Sequence, residues 1–325
     1  MTKIINWGII GCGNVTEKKS GPAFNKVNNS KLVAVMRRNG EKVKDYAQRH
    51  NVPNYYTDAD QLIKSPEINA IYVATPPSTH AQYAIAAMRA GKPVYVEKPM
   101  AATYAQCVEM NKVSRETGMP LFVAYYRRTL PGFLKVKELL DEKAIGTILV
   151  VNIRLTRPAN DDEKNNAWRV DPSVSGGGIF YDLASHQLDL MDFLLGPIAE
   201  ATGFVTNNNT WYNAEDTVGA CFKFACGAIG TGIWSFVTHN EGAQDSVEII
   251  GTQGSLKFSS FKTEPILLIK DDGITEFPYL NPENIQYNLI KQVSESILEG
   301  KKCASDGISA ARTSKIMEQI IQTKR

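Results

Sequence analysis

Short apolar runs typical of β-strands alternate with longer helical runs through the first third of the chain. From Lys3 to about Val123 the strand-like runs read INWGIIG, KLVAVM, AIYVAT, PVYVEK and PLFVA, and helical stretches such as EKVKDYAQRH separate them. Alternation of this kind predicts βαβ units, in which a crossover joins two parallel strands. The Val- and Ile-rich strand cores fit burial on both faces of the sheet. We therefore predict an α/β fold with a doubly wound parallel sheet in this part of the chain.

Length and charge narrow the class of protein. The chain has 325 residues, more than one hydrophobic core usually serves, so we expect two domains. Hydrophobic residues make up 43% and charged residues 22%, which is typical of a globular protein. The net charge is +2, the pI is about 8.1, and there is no long basic run, which argues against nucleic acid or an anionic membrane as a partner. A small molecule is the expected ligand.

The N-terminus gives no indication of export. The segment MTKIINWGIIGCGNV runs directly into a strand pattern, without a basic region followed by an apolar leader and a cleavage site. No segment is long and apolar enough to span a bilayer. Five cysteines are dispersed along the chain without a CxxC pair, which is typical of reduced thiols. We therefore expect a cytoplasmic protein.

A glycine-rich turn follows the first predicted strand. Residues 11–16 read GCGNVT, so the first two glycines of a GxGxxG fingerprint are present and Thr16 occupies the third position. Glycines at such a turn let backbone N–H groups approach a pyrophosphate. The βαβ setting favours a dinucleotide site, and a tight structural turn is the alternative. The predicted contacts are Gly11, Gly13, Asn14 and Val15.

The end of the second predicted strand carries two arginines where an NAD enzyme normally has an acid. This strand reads LVAVM and is followed by Arg37 and Arg38. A carboxylate here would bind the ribose hydroxyls of NAD and repel a 2′-phosphate, whereas guanidinium groups pair with that phosphate. We therefore predict NADP(H) in preference to NAD(H). The alternative is a solvated pair of surface arginines.

Two further strand ends place polar residues at the same edge of the predicted sheet. The strand-like run AIYVAT leads into the turn PPSTH, and the next run ends in VEKP, which contains Lys98. Ligands bind at the carboxyl ends of strands in such sheets. His80 either lines the cofactor site or caps the following helix, and Lys98 lies at the predicted crevice. The cofactor contacts predicted at these two ends are Thr75, Pro76, His80 and Glu97.

An apolar helix predicted between Gly176 and Pro197 carries a polar stripe. Asp182, His186 and Asp189 are spaced by four and then three residues, so they stack on one helical face. The remaining positions are mostly hydrophobic, so this stripe is expected to be at least partly buried. Buried carboxylates and imidazoles need partners, and mutual hydrogen bonding between Asp182 and His186 is one way to satisfy them.

These motifs, taken in order, resemble the glucose-fructose oxidoreductase and inositol dehydrogenase family, Gfo/Idh/MocA. The resemblance implies an N-terminal Rossmann domain, here residues 1–124, and a C-terminal substrate domain with a large open, mostly antiparallel sheet, here residues 125–325. It also implies an active site between the domains and a homo-oligomer, a dimer or a tetramer. The motifs that carry it are GCGNV, Glu97-Lys98-Pro99, Tyr126-Arg127-Arg128, Trp168-Arg169, and the glycine run at 176–178 followed by Asp182, His186 and Asp189.

The resemblance also implies roles for individual residues. Lys98 would hydrogen-bond the reacting substrate oxygen, His186 would act on it as general acid or base, and Asp182 would orient substrate and imidazole. A histidine that titrates near neutrality suits proton transfer coupled to hydride transfer in either direction. The resemblance further directs Tyr126 and Arg127 toward substrate and Trp168 and Arg169 toward the nicotinamide end of the cofactor, while Asp189 is assigned to structure.

The substrate expected by analogy with the family is a sugar, an inositol or a related polyol, or the corresponding ketone. A dinucleotide-binding regulator without catalytic activity is the main alternative, although such a protein has no need of Lys98, Asp182 and His186 together. A metal site on the polar stripe is a second alternative. The other histidines, at positions 50, 80 and 239, do not lie at ligand spacing from this helix, so we expect no metal.

Overall fold

A computed structural model describes residues 4–165, 167–209 and 211–322 of the chain. These residues form two compact units. Unit 1 comprises Met1–Tyr126 and Pro282–Ala311, and unit 2 comprises Arg127–Asn281 and Arg312–Arg325. Lys3, where the predicted alternation begins, lies outside the described residues.

The elements are given in chain order, with 3-10 and π turns left unlabelled. The strands are β1 Ile5–Ile10, β2 Ser30–Met36, β3 Asn54–Tyr56, β4 Ala70–Val73, β5 Val94–Val96, β6 Leu121–Val123, β7 Ile148–Thr156, β8 Ile198–Thr206, β9 Thr217–Phe224, β10 Ile229–Ser235, β11 Gln244–Gly251, β12 Gly254–Phe258, β13 Ile266–Lys270 and β14 Gly273–Phe277. The α-helices are α1 Asn14–Lys18, α2 Gly21–Lys26, α3 Gly40–Arg49, α4 Ala59–Lys64, α5 His80–Arg89, α6 Tyr104–Thr117, α7 Pro131–Asp141, α8 Asp161–Lys164, α9 Pro172–Ser175, α10 Ser185–Leu195, α11 Tyr287–Glu299 and α12 Gly307–Gln322.

Unit 1 is built on a parallel sheet with strand order β3-β2-β1-β4-β5-β6. Strands β1, β4 and β5 are apolar and almost wholly buried, as expected for a sheet covered on both faces. Helices begin at capping residues, for example at Thr103, whose side chain accepts from the Gln106 N–H. The predicted doubly wound parallel sheet is confirmed, and the short strand β3 adds to the strands read from the sequence.

The strand order reverses at β1, which lies between β2 and β4. In open α/β sheets the ligand crevice forms outside the carboxyl ends of the strands at such a reversal. The turn that begins at Gly11 follows β1, Arg37 follows β2, and Thr75 lies just after β4. The topology therefore brings three of the predicted cofactor segments to one edge of the sheet.

A late segment of the chain packs with unit 1. The Gln286 side chain donates to the Glu97 carboxylate at 2.7 Å and accepts from the Tyr95 hydroxyl at 2.8 Å, and the Ser305 hydroxyl donates to the Val123 carbonyl at 2.7 Å. The sequence predicts a single domain boundary, at residue 124. The chain instead passes between the two compact units three times, after residues 126, 281 and 311. Buried polar groups in Pro282–Ala311 account for this difference, because their partners lie on the strands of unit 1.

Unit 2 is built on an eight-stranded sheet with order β14-β13-β12-β11-β7-β10-β9-β8. β7 and β10 are parallel and the other neighbours are antiparallel. Gly227 and Gly273, with φ of 96° and 143°, lie at the hairpin connections of β9 with β10 and of β13 with β14. This confirms the large, mostly antiparallel sheet that the family resemblance implies.

The helix expected from Gly176 to Pro197 is divided into two parts. Phe180–Ala184 is a π-helix that contains Asp182, and α10 follows directly with His186 in its first turn. The glycine run is a turn before the helix: the Gly178 N–H donates to a Glu215 carboxylate oxygen at 2.9 Å, and a Cβ at Gly177 would lie 2.1 Å from the Tyr181 ring. Asp182 therefore lies on π-helical backbone and Asp189 on α-helical backbone, so the polar stripe does not follow a single helical repeat.

A buried ionic network joins α10 to the chain that follows β6. The Arg128 guanidinium donates to both carboxylate oxygens of Asp189 at 2.8 Å and to Asp192 at 3.2 Å, and Arg312 binds Asp192 at 2.7 and 2.8 Å. Burial raises the pKa of Asp189, although Arg128 acts in the opposite direction. Asp189 thus has the structural role expected of it.

Among the described residues, no helix is long and apolar enough to cross a membrane.

We predict that Arg128→Met destabilises the protein by about 3–5 kcal/mol, because it leaves Asp189 buried without its main cation. The measurement is the midpoint of denaturant-induced unfolding. The matched control is Lys112→Ala, which removes an exposed ion pair to Glu109 and Glu116 and should cost about 0–1 kcal/mol. An Arg128→Met protein as stable as this control would contradict the role of the network.

Candidate functional site

The glycine-rich turn lies against the ends of two neighbouring strands. The N–H groups of Gly11 and Cys12 donate to the Met36 carbonyl at 2.9 and 3.2 Å. Gly11 has a φ of 94°, and a Cβ there would lie 2.6 Å from the Thr75 side chain and 2.8 Å from the Thr75 nitrogen. Glycine is therefore required at this position by both backbone conformation and space. Burial raises the pKa of the Cys12 thiol to about 11, so this thiol is not suited to act as a nucleophile.

The second glycine of the turn faces open space. A Cβ at Gly13 would meet only the Gly11 carbonyl oxygen, at 3.9 Å, so packing within the protein does not exclude a side chain here. The absent side chain instead leaves the backbone accessible, which is what a dinucleotide pyrophosphate requires at this position of the fingerprint. The residues present therefore fit a dinucleotide. Asn14 and Val15, also predicted contacts, open α1 directly after this glycine.

Thr16 closes the turn where the fingerprint has its third glycine. Its hydroxyl donates to the Gly13 carbonyl at 2.8 Å and accepts from the Gly13 N–H at 3.0 Å, and the residue is fully buried. The position where the backbone packs too closely for a side chain is instead Gly21, five residues after Thr16. A Cβ at Gly21 would lie 2.2 Å from the Thr16 carbonyl and 2.6 Å from the Tyr46 hydroxyl. The departure from the fingerprint is therefore accommodated by a hydroxyl that fixes the turn.

The two arginines after β2 differ in their contacts. One guanidinium nitrogen of Arg37 donates to the Cys12 carbonyl at 3.4 Å, so this side chain extends along the glycine-rich turn and is half-buried. Arg38 is exposed. Arg37 therefore lies beside the glycine-rich turn at the end of β2, whereas the Arg38 side chain faces solvent.

The turn after β4 is fixed by hydroxyl and imidazole contacts. The Thr79 hydroxyl lies 2.8 Å from the Thr75 hydroxyl and 3.0 Å from the Pro76 carbonyl. His80 is fully buried as the first residue of α5, with Nε2 at 2.6 Å from the Thr75 carbonyl and Nδ1 at 2.9 Å from the Pro99 carbonyl. Thr75 and Pro76 are partly exposed at the sheet edge, whereas His80 lies inside it.

Glu97 and Lys98 follow β5 and differ in exposure. The Glu97 carboxylate is buried and accepts from the Tyr72 hydroxyl at 2.5 Å, from the Gln286 amide at 2.7 Å and from the Lys98 N–H at 3.2 Å. Burial and the Glu97 charge raise the pKa of Tyr72 well above its usual value, so Tyr72 remains a donor. Lys98 is partly exposed, and the Lys98–Pro99 peptide bond is cis. Glu97 therefore contacts the backbone that carries Lys98.

In unit 2, Arg169 connects two of the predicted site residues. Its guanidinium stacks on the Trp168 ring at 4.5 Å and lies 3.6 Å from an Asp182 carboxylate oxygen. Trp168 is 39% exposed and Asp182 is partly exposed, so this arrangement reaches the surface of the unit. Three residues separated by up to fourteen positions in sequence are thus brought into one cluster.

His186 and Arg127 both pack against one aromatic ring, that of Phe261. The His186 imidazole meets the Phe261 ring edge to face with centroids 6.1 Å apart, and the Arg127 guanidinium lies 4.4 Å from the centre of that ring. Arg127 also donates to the Ser260 carbonyl at 2.9 Å. His186 is 4% exposed, so its imidazole is largely enclosed by this packing. Tyr126, predicted beside Arg127, is buried at the end of the first stretch of unit 1.

The segment that contains Phe261 was not identified from the sequence. Asp245 holds it by accepting from the Ser260 N–H at 3.0 Å, from the Phe261 N–H at 2.7 Å and from the Ser259 hydroxyl. The only sequence signal is a pair of serines and a phenylalanine after a strand, which is common in loops. Glu215 was also not identified, and it binds the Gly178 N–H in front of Asp182.

Comparison with known proteins agrees with both units. Residues 5–125 match the family model described as "Oxidoreductase family, NAD-binding Rossmann fold", and residues 133–257 match the model described as "GFO/IDH/MocA C-terminal domain". A protein of Formosa agariphila named "Oxidoreductase P35" is 43% identical over 295 residues, which cover 90% of each chain. The 1,5-anhydro-D-fructose reductase of Ensifer adhaerens is 27% identical over 300 residues, 90% of this chain and 88% of that one.

A solved structure shows the same fold. A levoglucosan dehydrogenase in complex with NADH and levoglucosan has a TM-score of 0.90 at 23% identity, covering 99% of this chain and 97% of that one. The match covers both units of this chain, the one with the parallel sheet and the one with the mostly antiparallel sheet. On the family models and the 43% identical relative, the chain belongs to the Gfo/Idh/MocA family of oxidoreductases with an NAD-binding Rossmann fold.

Proposed function

We propose that this oxidoreductase uses NADP(H) to interconvert a hydroxyl and a carbonyl group on a sugar, an inositol or a related polyol. The observation that carries the proposal is the glycine-rich turn, where Gly13 leaves the backbone accessible and Arg37 lies along the same turn. Two of the similar proteins, a 1,5-anhydro-D-fructose reductase and a levoglucosan dehydrogenase, are named for anhydrosugars. Anhydrosugars are therefore the first substrates to screen.

The cofactor would be held by residues at the carboxyl edge of the sheet in unit 1. The pyrophosphate would lie at the turn formed by Gly11, Gly13, Asn14 and Val15. Thr75, Pro76 and Glu97 would contribute at the neighbouring strand ends, and by the family resemblance Trp168 and Arg169 would contact the nicotinamide end of the cofactor. When bound, the nicotinamide gives or takes a hydride at the substrate carbon.

Arg37 and Arg38 support NADP(H) in preference to NAD(H). No acid stands at the end of β2 to accept hydrogen bonds from ribose hydroxyls, and two guanidinium groups follow that strand. Arginine presents several N–H donors in a planar fork that matches phosphate oxygens. A 2′-phosphate at this position would therefore gain charge-assisted hydrogen bonds that NAD(H) cannot form.

Lys98, Asp182 and His186 are proposed to carry out proton transfer and orientation. The Lys98 ammonium would donate to the substrate oxygen and stabilise the negative charge that develops on it. His186 would give or take the proton at that oxygen, because imidazole titrates near neutral pH. Asp182 would orient substrate and imidazole while Arg169 limits its movement, and Tyr126 and Arg127 would contact substrate hydroxyls.

We further propose that the open face of the unit 2 sheet forms a homo-oligomer, a dimer or a tetramer. Four apolar side chains on neighbouring strands are exposed on this face: Val150, Phe204, Ile229 and Ile233, with Phe204 82% exposed. Exposed apolar patches on sheets commonly mark protein interfaces. Sedimentation of the protein and of a Phe204→Lys variant tests this surface.

We predict that His186→Asn lowers kcat by about a hundredfold or more and changes the Kd for NADPH by less than about twofold, because it removes general acid–base catalysis only. The measurements are steady-state kinetics on the best anhydrosugar or polyol and a fluorescence titration with NADPH. A large loss of NADPH affinity with unchanged kcat would contradict the role of His186. Tight NADPH binding without turnover of any sugar or polyol by the unmodified protein would favour a regulatory function.

We predict that replacing Arg37 and Arg38 with Ala weakens NADPH binding by about ten- to a hundredfold and NADH binding by less than about threefold, because the lost hydrogen bonds involve the 2′-phosphate. Parallel fluorescence titrations with the two cofactors measure this difference. The matched control is Arg115→Ala, which removes an exposed arginine from the last turn of α6. Equal weakening for NADPH and NADH would show that the pair does not recognise the phosphate.

A further inference from the structure

His80 is a buried imidazole that lies between two carbonyl groups. Its Nε2 is 2.6 Å from the Thr75 carbonyl oxygen and its Nδ1 is 2.9 Å from the Pro99 carbonyl oxygen. Carbonyl oxygens only accept hydrogen bonds, whereas a neutral imidazole has one N–H donor and one nitrogen that accepts. A neutral ring would therefore place one nitrogen lone pair against an oxygen lone pair. Both contacts are hydrogen bonds only when each ring nitrogen carries a proton.

The two carbonyls belong to turns that matter for the proposed site. Thr75 follows β4, and its side chain and nitrogen lie against Gly11 in the glycine-rich turn. Pro99 directly follows Lys98, the proposed donor to the substrate oxygen. His80 therefore connects the cofactor edge of the sheet with the backbone that carries Lys98, while Glu97 holds the Lys98 N–H at 3.2 Å on the other side.

The charges around His80 act in opposite directions. Burial lowers the pKa of the imidazole below its usual value, and the Thr75 and Pro99 carbonyls and the Glu97 charge offset only part of this effect. The first turn of α5, which contains His80, has no acidic residue, so Glu97 at the end of β5 is the carboxylate that can balance an imidazolium. Lys98 directly follows Glu97 in sequence and carries a positive charge.

We propose that His80 is a positioning residue for Lys98: a buried imidazolium that donates to the Thr75 and Pro99 carbonyls and so fixes the Lys98 turn relative to the end of β4. The role of Lys98 itself rests on the proposed function. The protonation state of His80 does not, and the two parts are tested separately.

The first experiment measures the ring nitrogens of the histidines by ¹⁵N NMR in the unmodified full chain at neutral pH. The chain has four histidines, so replacing His50, His186 and His239 by Gln one at a time assigns their signals and leaves those of His80. We expect two protonated nitrogens for His80. One protonated and one unprotonated nitrogen at neutral pH would overturn the proposal, and this test requires neither a His80 variant nor enzymatic activity.

The second experiment tests whether His80 acts through Lys98. His80→Asn should lower kcat by about tenfold or more, because small displacements of a catalytic group have large effects on rate. In a Lys98→Ala background the same change should lower the residual kcat by less than about twofold, because the positioned residue is absent. Equal losses in the two backgrounds would overturn the positioning role.

Two controls separate these effects from loss of folding. Gln82→Ala changes an exposed residue on the same helix, α5, and should leave kcat within about twofold of the unmodified protein. Thermal unfolding of each variant reports whether it is folded at the assay temperature. If the unmodified protein turns over no sugar or polyol, the proposed function fails while the NMR result still decides the charge on His80.

Discussion

The architecture of unit 1 depends on how closely its first turn approaches the ends of two strands. The Gly11 and Cys12 amides bind the end of β2, and the absent side chain of Gly11 is replaced in space by Thr75 at the end of β4. Because these contacts fix the spacing of three chain segments, Arg37, Gly13 and Thr75 share one edge of the sheet. A single methyl group at residue 11 would separate them. Backbone packing within the protein therefore brings the proposed cofactor contacts together, without the help of a ligand.

In unit 2, side chains that are proposed to act in the reaction are held in place by their neighbours. Arg169 contacts both Trp168 and Asp182, and the Phe261 ring packs with both Arg127 and His186. Such support limits the orientations that each polar group samples, so less free energy is spent in ordering the group during reaction. It also explains why the cluster in unit 2 tolerates the π-helical turn at Asp182, since Arg169 contacts the carboxylate directly.

The sequence predicted the features that depend on local pattern. Alternating strand and helix runs were enough for the parallel sheet, because neighbouring residues decide these elements, whereas the second sheet was expected from the family resemblance. The π-helical turn was missed because its hydrophobic pattern is the same as that of an α-helix. Phe261 and Gln286 were missed for another reason: each meets its partners across a long sequence separation, 189 residues for Gln286 and Glu97, and no motif marks such a pairing.

The return of Pro282–Ala311 to unit 1 has a consequence for biosynthesis. Tyr95 and Glu97 are buried; the Tyr95 hydroxyl donates to Gln286, and Glu97 accepts from Gln286 as well as from Tyr72. A nascent chain that has emerged only as far as β6 therefore has two buried polar groups without that partner, which disfavours a stable Rossmann sheet. Unit 1 begins to be translated first, yet it can be completed only after almost all of unit 2 has left the ribosome.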